Sequence, residues 1–507
     1  MTRGSNRSTF LCVVIRGAAA ISLVLGLTAL SSVGADASRG RSTGEKTTDL
    51  RARVTASPWK SVTQVSGPAG FNGAGDEIAV NSLSCGTSHS CSAVGFVSNQ
   101  HTTQAFVEDE RDGAWSRATI PPGAATLNAG NSAQLDAVSC TSRQNCSAVG
   151  WYTTRSQHIE VFTVRESSGK WSEALTVHGL SIRGINAIVT STIACASANS
   201  CVVSGTYNVN SSAQRMAPSR PFIVDEVNGQ WQRAMALPES ISPADVNVTS
   251  VACRSVGNCS IGGEFAGNQR VALVDNETDG VWASAIRVPG IATLGRSSST
   301  VSSISCGGEN SCSAGGTYAD RSGDILGFLT NEVDGKWSTM ETVKGSPDLH
   351  LDSNSGITTL SCTAPGECTA LGYSFYRGNG GKLFVVRETR GVWGRAINIR
   401  NASNESYSGF NNGTLSCATP GNCVVGGMYA VQEKWSMGSA PFVAEEVNGV
   451  WTRAVEVRGM SKLNVGNYAW VQSASCGDAD NCAIVGGFSG ATEAPDFFAS
   501  TTSSSRS

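Results

Sequence analysis

The sequence predicts an all-β chain, an eight-bladed β-propeller of four-stranded antiparallel blades, its ring closed by an N-terminal strand that joins the C-terminal blade. Three observations predict it. A Cys-x5-Cys pair occurs eight times at intervals of 53 to 59 residues, always with a glycine four residues after the second cysteine; a fixed unit at that period marks a repeat architecture. The first seven units each carry four short runs rich in Val, Ile, Thr and aromatics, bounded by Gly, Ser, Asn or Asp, with no sustained helical period. Finally, the last unit lacks its fourth run, while the chain begins with an orphan one, Pro58-Trp59-Lys60-Ser61-Val62. That exchange closes a ring and removes its open edges, whereas a linear solenoid needs capping units.

In chain order, residues 1–37 read as a cleaved signal peptide: Arg3, Arg7 and Arg16, an apolar run from Gly17 to Leu30, then Ala35-Asp36-Ala37. The apolar run is shorter than the roughly 18 residues a membrane span needs, so no span is expected after cleavage. Cleavage also removes Cys12, the one cysteine of seventeen outside the pattern. An even set of paired cysteines in an exported chain reads as disulfides. Zinc sites favour closer spacing and recruit histidine, and His89, His101, His158, His178 and His350 keep no fixed offset from the cysteines. Residues 38–57 are expected as a flexible linker, 58–499 as the propeller and 500–507 as a disordered tail.

Within the second unit, Leu135–Cys140, Cys146–Tyr152, Ile159–Glu166 and Trp171–Val177 are the four strands, A to D. The C–D turn is the clearest local signal. Asp112-Gly113, Asn228-Gly229, Asp279-Gly280, Asp334-Gly335 and Asn448-Gly449 supply the positive φ angles of a type I′ hairpin, with Ser168-Gly169 and Arg390-Gly391 as variants. Two residues after each glycine comes a tryptophan (Trp115, Trp171, Trp231, Trp282, Trp337, Trp393, Trp451), whose strict recurrence fits packing between neighbouring sheets.

The disulfides Cys85–Cys91, Cys140–Cys146, Cys195–Cys201, Cys253–Cys259, Cys306–Cys312, Cys362–Cys368, Cys417–Cys423 and Cys476–Cys482 are expected to close the A–B hairpins. Eight equivalent pairs argue against redox chemistry, which uses one Cys-x-x-Cys with a lowered thiol pKa. The recurring glycines (Gly95, Gly150 and their equivalents) are expected to let strand B approach strand C or a neighbouring blade. The aromatics two residues later (Tyr152, Tyr207, Phe265, Tyr318, Tyr429, Phe488) read as blade core.

In such a meander the A–B and C–D turns share one face, and the D–A and B–C loops share the other. The first is uniform; the second varies between units, as binding surfaces of repeat proteins do. Phe71, Tyr376, Tyr407, Phe410, Trp435, Tyr468 and Trp470 lie there among Asn, Ser and Gly. Aromatics in that setting suit stacking on sugar rings or a protein hot spot, although any one of them can equally pin its loop to the core.

An enzyme would gather acids near the axis. Four residues before the first cysteine, the units carry Asn81, Asp136, Ser191, Thr249, Ser302, Thr358, Gly413 and Gln472; two before it, Leu83, Val138, Ile193, Val251, Ile304, Leu360, Leu415 and Ala474. One carboxylate is neither a glycosidase pair nor a calcium site. The loop residues Asp76, Glu77, Asp245, Asp348, His350, Asp352 and Glu405 could still converge over the axis. Catalytic motifs such as Gly-x-Ser-x-Gly and His-Glu-x-x-His do not occur. No cofactor or metal is expected. The formal charge is −3 and charged residues, 15% of the chain, form no basic stripe, so nucleic acid is not an expected partner.

The unit AVSCTSRQNCSAVGWY (Ala137–Tyr152), followed by VFTVRESSGKWSEALTVHG (Val161–Gly179), resembles the repeats of secreted bacterial cysteine-rich β-propeller proteins from about Trp59 to Phe498. The hairpin ETDGVW (Glu277–Trp282) is distantly similar to the Asp-box of sialidase-type propellers, and the repeat more loosely to kelch-type ones. It departs from the Asp-box in having no residue between aspartate and glycine and one between glycine and tryptophan. Arg117, Arg233, Arg395 and Arg453 follow the tryptophans on the outermost strand as a solvated edge, not as a cluster for a sugar carboxylate. The resemblance implies an extracellular protein, secreted and associated with the cell wall. Two readings remain: a monomeric, non-catalytic propeller that recognises a surface glycan or an extracellular protein through its variable loops, and a glycoside hydrolase or lyase with a loop-built site.

Overall fold

In the computed structural model the described residues are 59–71, 76–87, 89–180, 188–208, 219–237, 246–267, 269–309, 311–345, 349–351, 353–376, 380–402, 413–432, 437–479, 481–490 and 495–502. They form an all-β propeller. The first blade runs Glu77–Gly86 (A), Ser90–Ser98 (B), Thr103–Arg111 (C) and Ala114–Trp115 (D), all antiparallel neighbours. The same A–B–C–D order recurs in seven further sheets, whose A strands are Ala133–Ser142, Ile188–Ser197, Val246–Ser255, Gly295–Gly308, Ser355–Ala364, Thr414–Thr419 and Ala469–Asp478. A single parallel bridge, Arg270 to Ser298, joins the fourth and fifth sheets.

The eighth sheet takes its outer strand from the other end of the chain. Thr63–Gln64 pairs with Pro495–Thr501, and Trp59 bridges Thr502. This pairing places Ser500, Thr501 and Thr502 inside the fold, 2–4% exposed. The expected tail from residue 500 is corrected accordingly: the strand has to run on to meet the closing strand.

All eight A–B hairpins carry their disulfide. The seven C–D turns have both central residues at positive φ, from Asp112 (52°) and Gly113 (84°) to Asn448 (50°) and Gly449 (84°), the geometry of type I′. Turn backbones of the two families bond to each other, as in Asp112 N–H to His89 O and Gly280 N–H to Gly257 O. The uniform turns therefore share one face.

Six A strands carry a β-bulge at the residue four before the first cysteine: Asn81, Asp136, Thr249, Ser302, Thr358 and Gln472. A bulge shifts the strand's alternation by one residue. The side chains two before the cysteine, from Leu83 to Ala474, lie in the inter-blade cores at 5–8% exposure in bulged and unbulged blades alike and do not line a channel.

The closeness of strands A and B explains the recurring glycine. A Cβ at Gly95, Gly150, Gly263, Gly316 or Gly486 would sit within about 2 Å of a carbonyl oxygen of strand A. A Cβ at Gly372 would meet Phe384 at 2.4 Å and one at Gly427 would meet Phe442 at 2.9 Å, so the close approach is to strand C, as expected, and to strand A as well. Opposite these glycines on strand C stand Phe106, Phe162, Phe222, Phe328, Phe384, Phe442 and Phe498, with Leu273 in the fourth blade. Each is at most 1% exposed. A large ring over a bare glycine fills the space the missing side chain leaves, and burying each stabilises by about 2–3 kcal/mol.

Candidate functional site

The tryptophans do join neighbouring sheets. The indole N–H of Trp171 donates to Asp109, Trp282 to Asp225, Trp337 to Asn276 and Trp393 to Asn331, each acceptor on strand C of the preceding blade. Asn276, the asparagine of an Asn-Glu-Thr sequon, is thereby buried and engaged.

Beside them lies a set of residues that the sequence reading passed over. Glu110, Glu166, Glu226, Glu277, Glu332, Glu388 and Glu446 precede the turn glycines by three residues, pair across the hairpin with the tryptophans, and are no more than 3% exposed. Five are reached from the blade before: Glu166 by Arg111 (3.2 Å), Glu332 by Arg254 (2.8 Å), Glu388 by Ser313 (3.1 Å) and Asn331 (2.6 Å), and Glu226 and Glu446 by Arg165 and Arg387. Burial pushes Glu166, Glu277 and Glu388 up to about 7. The signal was present in sequence as Glu-x-x-Gly-x-Trp in seven units; it was missed because a glutamate beside a turn ordinarily reads as solvated. These groups lace the ring and are not a catalytic set.

The residues four before each first cysteine are also mostly laced. Asn81 donates to Leu135 O (2.8 Å) and Thr249 to Val301 O (2.6 Å), each on the next blade. Asp136 accepts from Gln134 (2.6 Å) and from Ser191 of the next blade (2.6 Å). Desolvation raises its pKa to about 6, against the lowering effect of those two bonds.

On the loop face the structure brings together part of the expected aromatic set. Tyr468, 44% exposed, and Trp470 have ring centroids 5.5 Å apart at the entry to the last A strand. Trp470 meets Phe497 edge-on at 6.0 Å, leaves no room for a Cβ at Gly487, and donates its indole N–H to the exposed Gln472 (3.0 Å). Phe71 is 7% exposed and packs in the same cluster as Phe497, against which Trp470 rests. Its expected place on an exposed surface is corrected: the ring is buried in the hydrophobic core. Tyr376 ends the B strand Glu367–Tyr376. Tyr407, Phe410 and Trp435 lie outside the described residues, as do Asp245, Asp348, Asp352 and Glu405.

Of the remaining loop acids, Asp76 and Glu77 adjoin each other at the entry to the first blade, and burial raises the Glu77 pKa. His350 stands at the entry to the sixth blade. Among the described residues no three His, Cys, Asp or Glu side chains converge as metal ligands, and no helix is long and apolar enough to cross a membrane. Arg117, Arg233, Arg395 and Arg453 are exposed.

The class this geometry defines is the β-propeller. No protein-family model matches the chain, and no curated protein is similar to it in sequence. Among solved structures it is similar to Sqt1 of Chaetomium thermophilum bound to the N-terminus of a ribosomal protein (10% identity, 85% of this chain and 97% of that one, TM-score 0.45). It is also similar to the β-propeller domain of the trilobed protease of Pyrococcus furiosus (11%, 72% and 95%, 0.39) and to a Hadza microbial sialidase (10%, 67% and 72%, 0.36).

Proposed function

We propose that the protein is a secreted, non-catalytic propeller that recognises a surface glycan or an extracellular protein through its loop face. One observation carries this reading: Tyr468 and Trp470 form a half-open aromatic pair, braced by Phe497 against Trp470, with the Gln472 amide beside it. A rigid aromatic step next to a hydrogen-bonding amide suits the apolar face and hydroxyls of a sugar ring, or the anchor pocket of a protein partner. Eight disulfides fit an oxidising, extracellular setting. The test is retention of the oxidised protein on arrayed cell-wall and host glycans, with supernatants assayed for released sugar. Selective retention without release supports the reading, and sugar release overturns it in favour of a loop-built hydrolase or lyase. Absence of both moves the proposal to a protein partner.

A further inference from the structure

Two sheets carry one aromatic arrangement on opposite strands. In the eighth blade Trp470 stands on strand A six residues before the first cysteine and faces Gly487 on strand B. In the sixth blade the two are exchanged: Gly356 holds that place on strand A, and Tyr373 faces it from strand B. A Cβ at Gly487 would strike the Trp470 ring, and one at Gly356 would lie 2.9 Å from the Tyr373 ring. One rung nearer the loops, a second ring stands beside each. Phe375 has its centroid 5.3 Å from that of Tyr373 at an interplanar angle of 56°, and Tyr468 lies 5.5 Å from Trp470 at 55°. The same backbone bond closes both outer rungs, Phe375 N–H to Asn354 O and Ser489 N–H to Tyr468 O, each 2.7 Å. Among the described residues no other sheet has aromatic side chains on both rungs; the first and second blades have one each, Phe96 and Trp151.

Packing accounts for the inner rings. Tyr373 and Trp470 cover bare backbone and join the core clusters shared with the following blade. It does not account for the outer ones, since Phe375 is partly exposed and Tyr468 is 44% exposed. The rungs also lack charge: their strand neighbours are Leu383, Asn354 and Gly381 in the sixth blade and Phe497, Ser489 and Pro495 in the eighth. Nothing there would select an ionic ligand. Ring faces suit the C–H faces of a sugar, and the exposed amides of Asn354 and Gln472 suit its hydroxyls. A single blade separates the two pairs, for Cys417 N–H donates to the Ser361 hydroxyl and Cys476 N–H to the Ser416 hydroxyl, each at 2.9 Å. An element used twice at one height of the ring matches a ligand that repeats its own unit. Resting on the glycan reading of Tyr468 and Trp470, we propose that Tyr373 and Phe375 form a second sugar-binding position, and that the ligand is a neutral oligosaccharide crossing the seventh blade to occupy both.

The experiment is calorimetric titration of the oxidised protein with the disaccharide and hexasaccharide of three neutral series: malto-, cello- and N-acetylchito-oligosaccharides. At least one hexamer should bind about tenfold or more tightly than its dimer, because the second contact of a single chain is intramolecular. Phe375→Ala and Tyr468→Ala should each remove that advantage, while dimer binding changes by no more than about twofold, the loss of one of two equal positions. Should Phe375→Ala fold poorly, Phe375→Leu keeps an apolar side chain without the aromatic face and should have the same effect. Hexamer binding that falls in Tyr468→Ala but is indifferent to both Phe375 variants overturns the proposal and leaves the glycan reading standing. A hexamer that binds no better than its dimer has the same meaning. No binding of any of the probes overturns the proposal together with the glycan reading.

Discussion

The N–H of Cys85 donates to the hydroxyl of Ser475 at 2.9 Å, across 390 residues of sequence. This bond is one of a series. Cys140, Cys195, Cys362, Cys417 and Cys476 donate in the same way to Ser84, Ser139, Ser305, Ser361 and Ser416 of the preceding blade, at 2.9–3.1 Å. The serine stands immediately before the first cysteine in six units, and Ala194 and Ala252 replace it in two. The hydroxyl ladder therefore runs around the ring with two rungs missing, before Cys253 and Cys306.

Restoring the rungs should stabilise the protein. Ala194→Ser and Ala252→Ser are each expected to add about 1 kcal/mol, and Ser475→Ala to remove a similar amount at the seam. Urea midpoints at constant m-value measure this. Equal stability of Ser475→Ala and the parent would show that the seam bond contributes nothing net.

The pairing of glycine with phenylalanine gives a sharper expectation. Phe162→Ala should cost about 3–5 kcal/mol, since it opens a cavity over Gly150 in a site with no exposure. Gly150→Ala should cost at least about 3 kcal/mol, because the new Cβ would lie 2.0 Å from Gln134 O. Thermal denaturation reads both; a mild effect of Gly150→Ala would mean that the bulge at Asp136 can relax.

Much of the ring was legible because its signals are local and repeated. Asp112-Gly113 and its relatives demand a type I′ turn whatever surrounds them, and the displaced first strand implied closure. The bulges were not legible, since nothing in the residues around Asn81 or Thr249 separates a bulge from a regular strand. Leu83 and its equivalents lie in the core, and the glycines meet strand A, in bulged and unbulged blades alike, which follows from how the strands pack and not from their residues alone. On the loop face, Tyr468 and Phe71 looked alike in sequence; only packing against Phe497 separates an exposed ring from a buried one.

Disulfides that close such short loops contribute modestly one at a time. The Cys306→Ser/Cys312→Ser double variant should lose about 2 kcal/mol on chain-entropy grounds, and reduction of all eight pairs should lower Tm far more. Differential scanning calorimetry with and without reductant tests this. An unchanged Tm on full reduction, with free thiols confirmed, would show that the inter-blade bonds alone hold the ring.

Tyr468 and Trp470 separate recognition from folding. Tyr468 is 44% exposed, so Tyr468→Ala should change stability by no more than about 0.5 kcal/mol. On a retained glycan it should weaken binding by about 2 kcal/mol, some thirtyfold, if the ring is a hot spot. Trp470→Ala is expected to weaken binding and stability together, because Trp470 also covers Gly487 and Phe497. Retention untouched by Tyr468→Ala would move the recognition surface to other loops.

The buried acids set the pH dependence. Burial raises Glu108 to about 8, Glu166, Glu277, Glu388 and Asp275 to about 7, and Asp136 to about 6. Their unfolded values lie near 4, so between these limits the folded protein holds more protons than the unfolded chain. Stability then falls as pH rises: the contribution is complete below about pH 4 and is lost as pH climbs through 6 to 8. Over the range 5 to 8, Tm should decrease steadily, the reverse of a protein stabilised by salt-bridged carboxylates. Glu388→Gln should flatten that slope, because the amide oxygen can still accept from Asn331 and its NH2 can donate to the Ser313 hydroxyl without a titrating proton to lose. A Tm that rises from pH 5 to 8 would mean that Arg111, Arg254 and Arg387 hold their glutamates ionised throughout, and that the ring is laced by ion pairs.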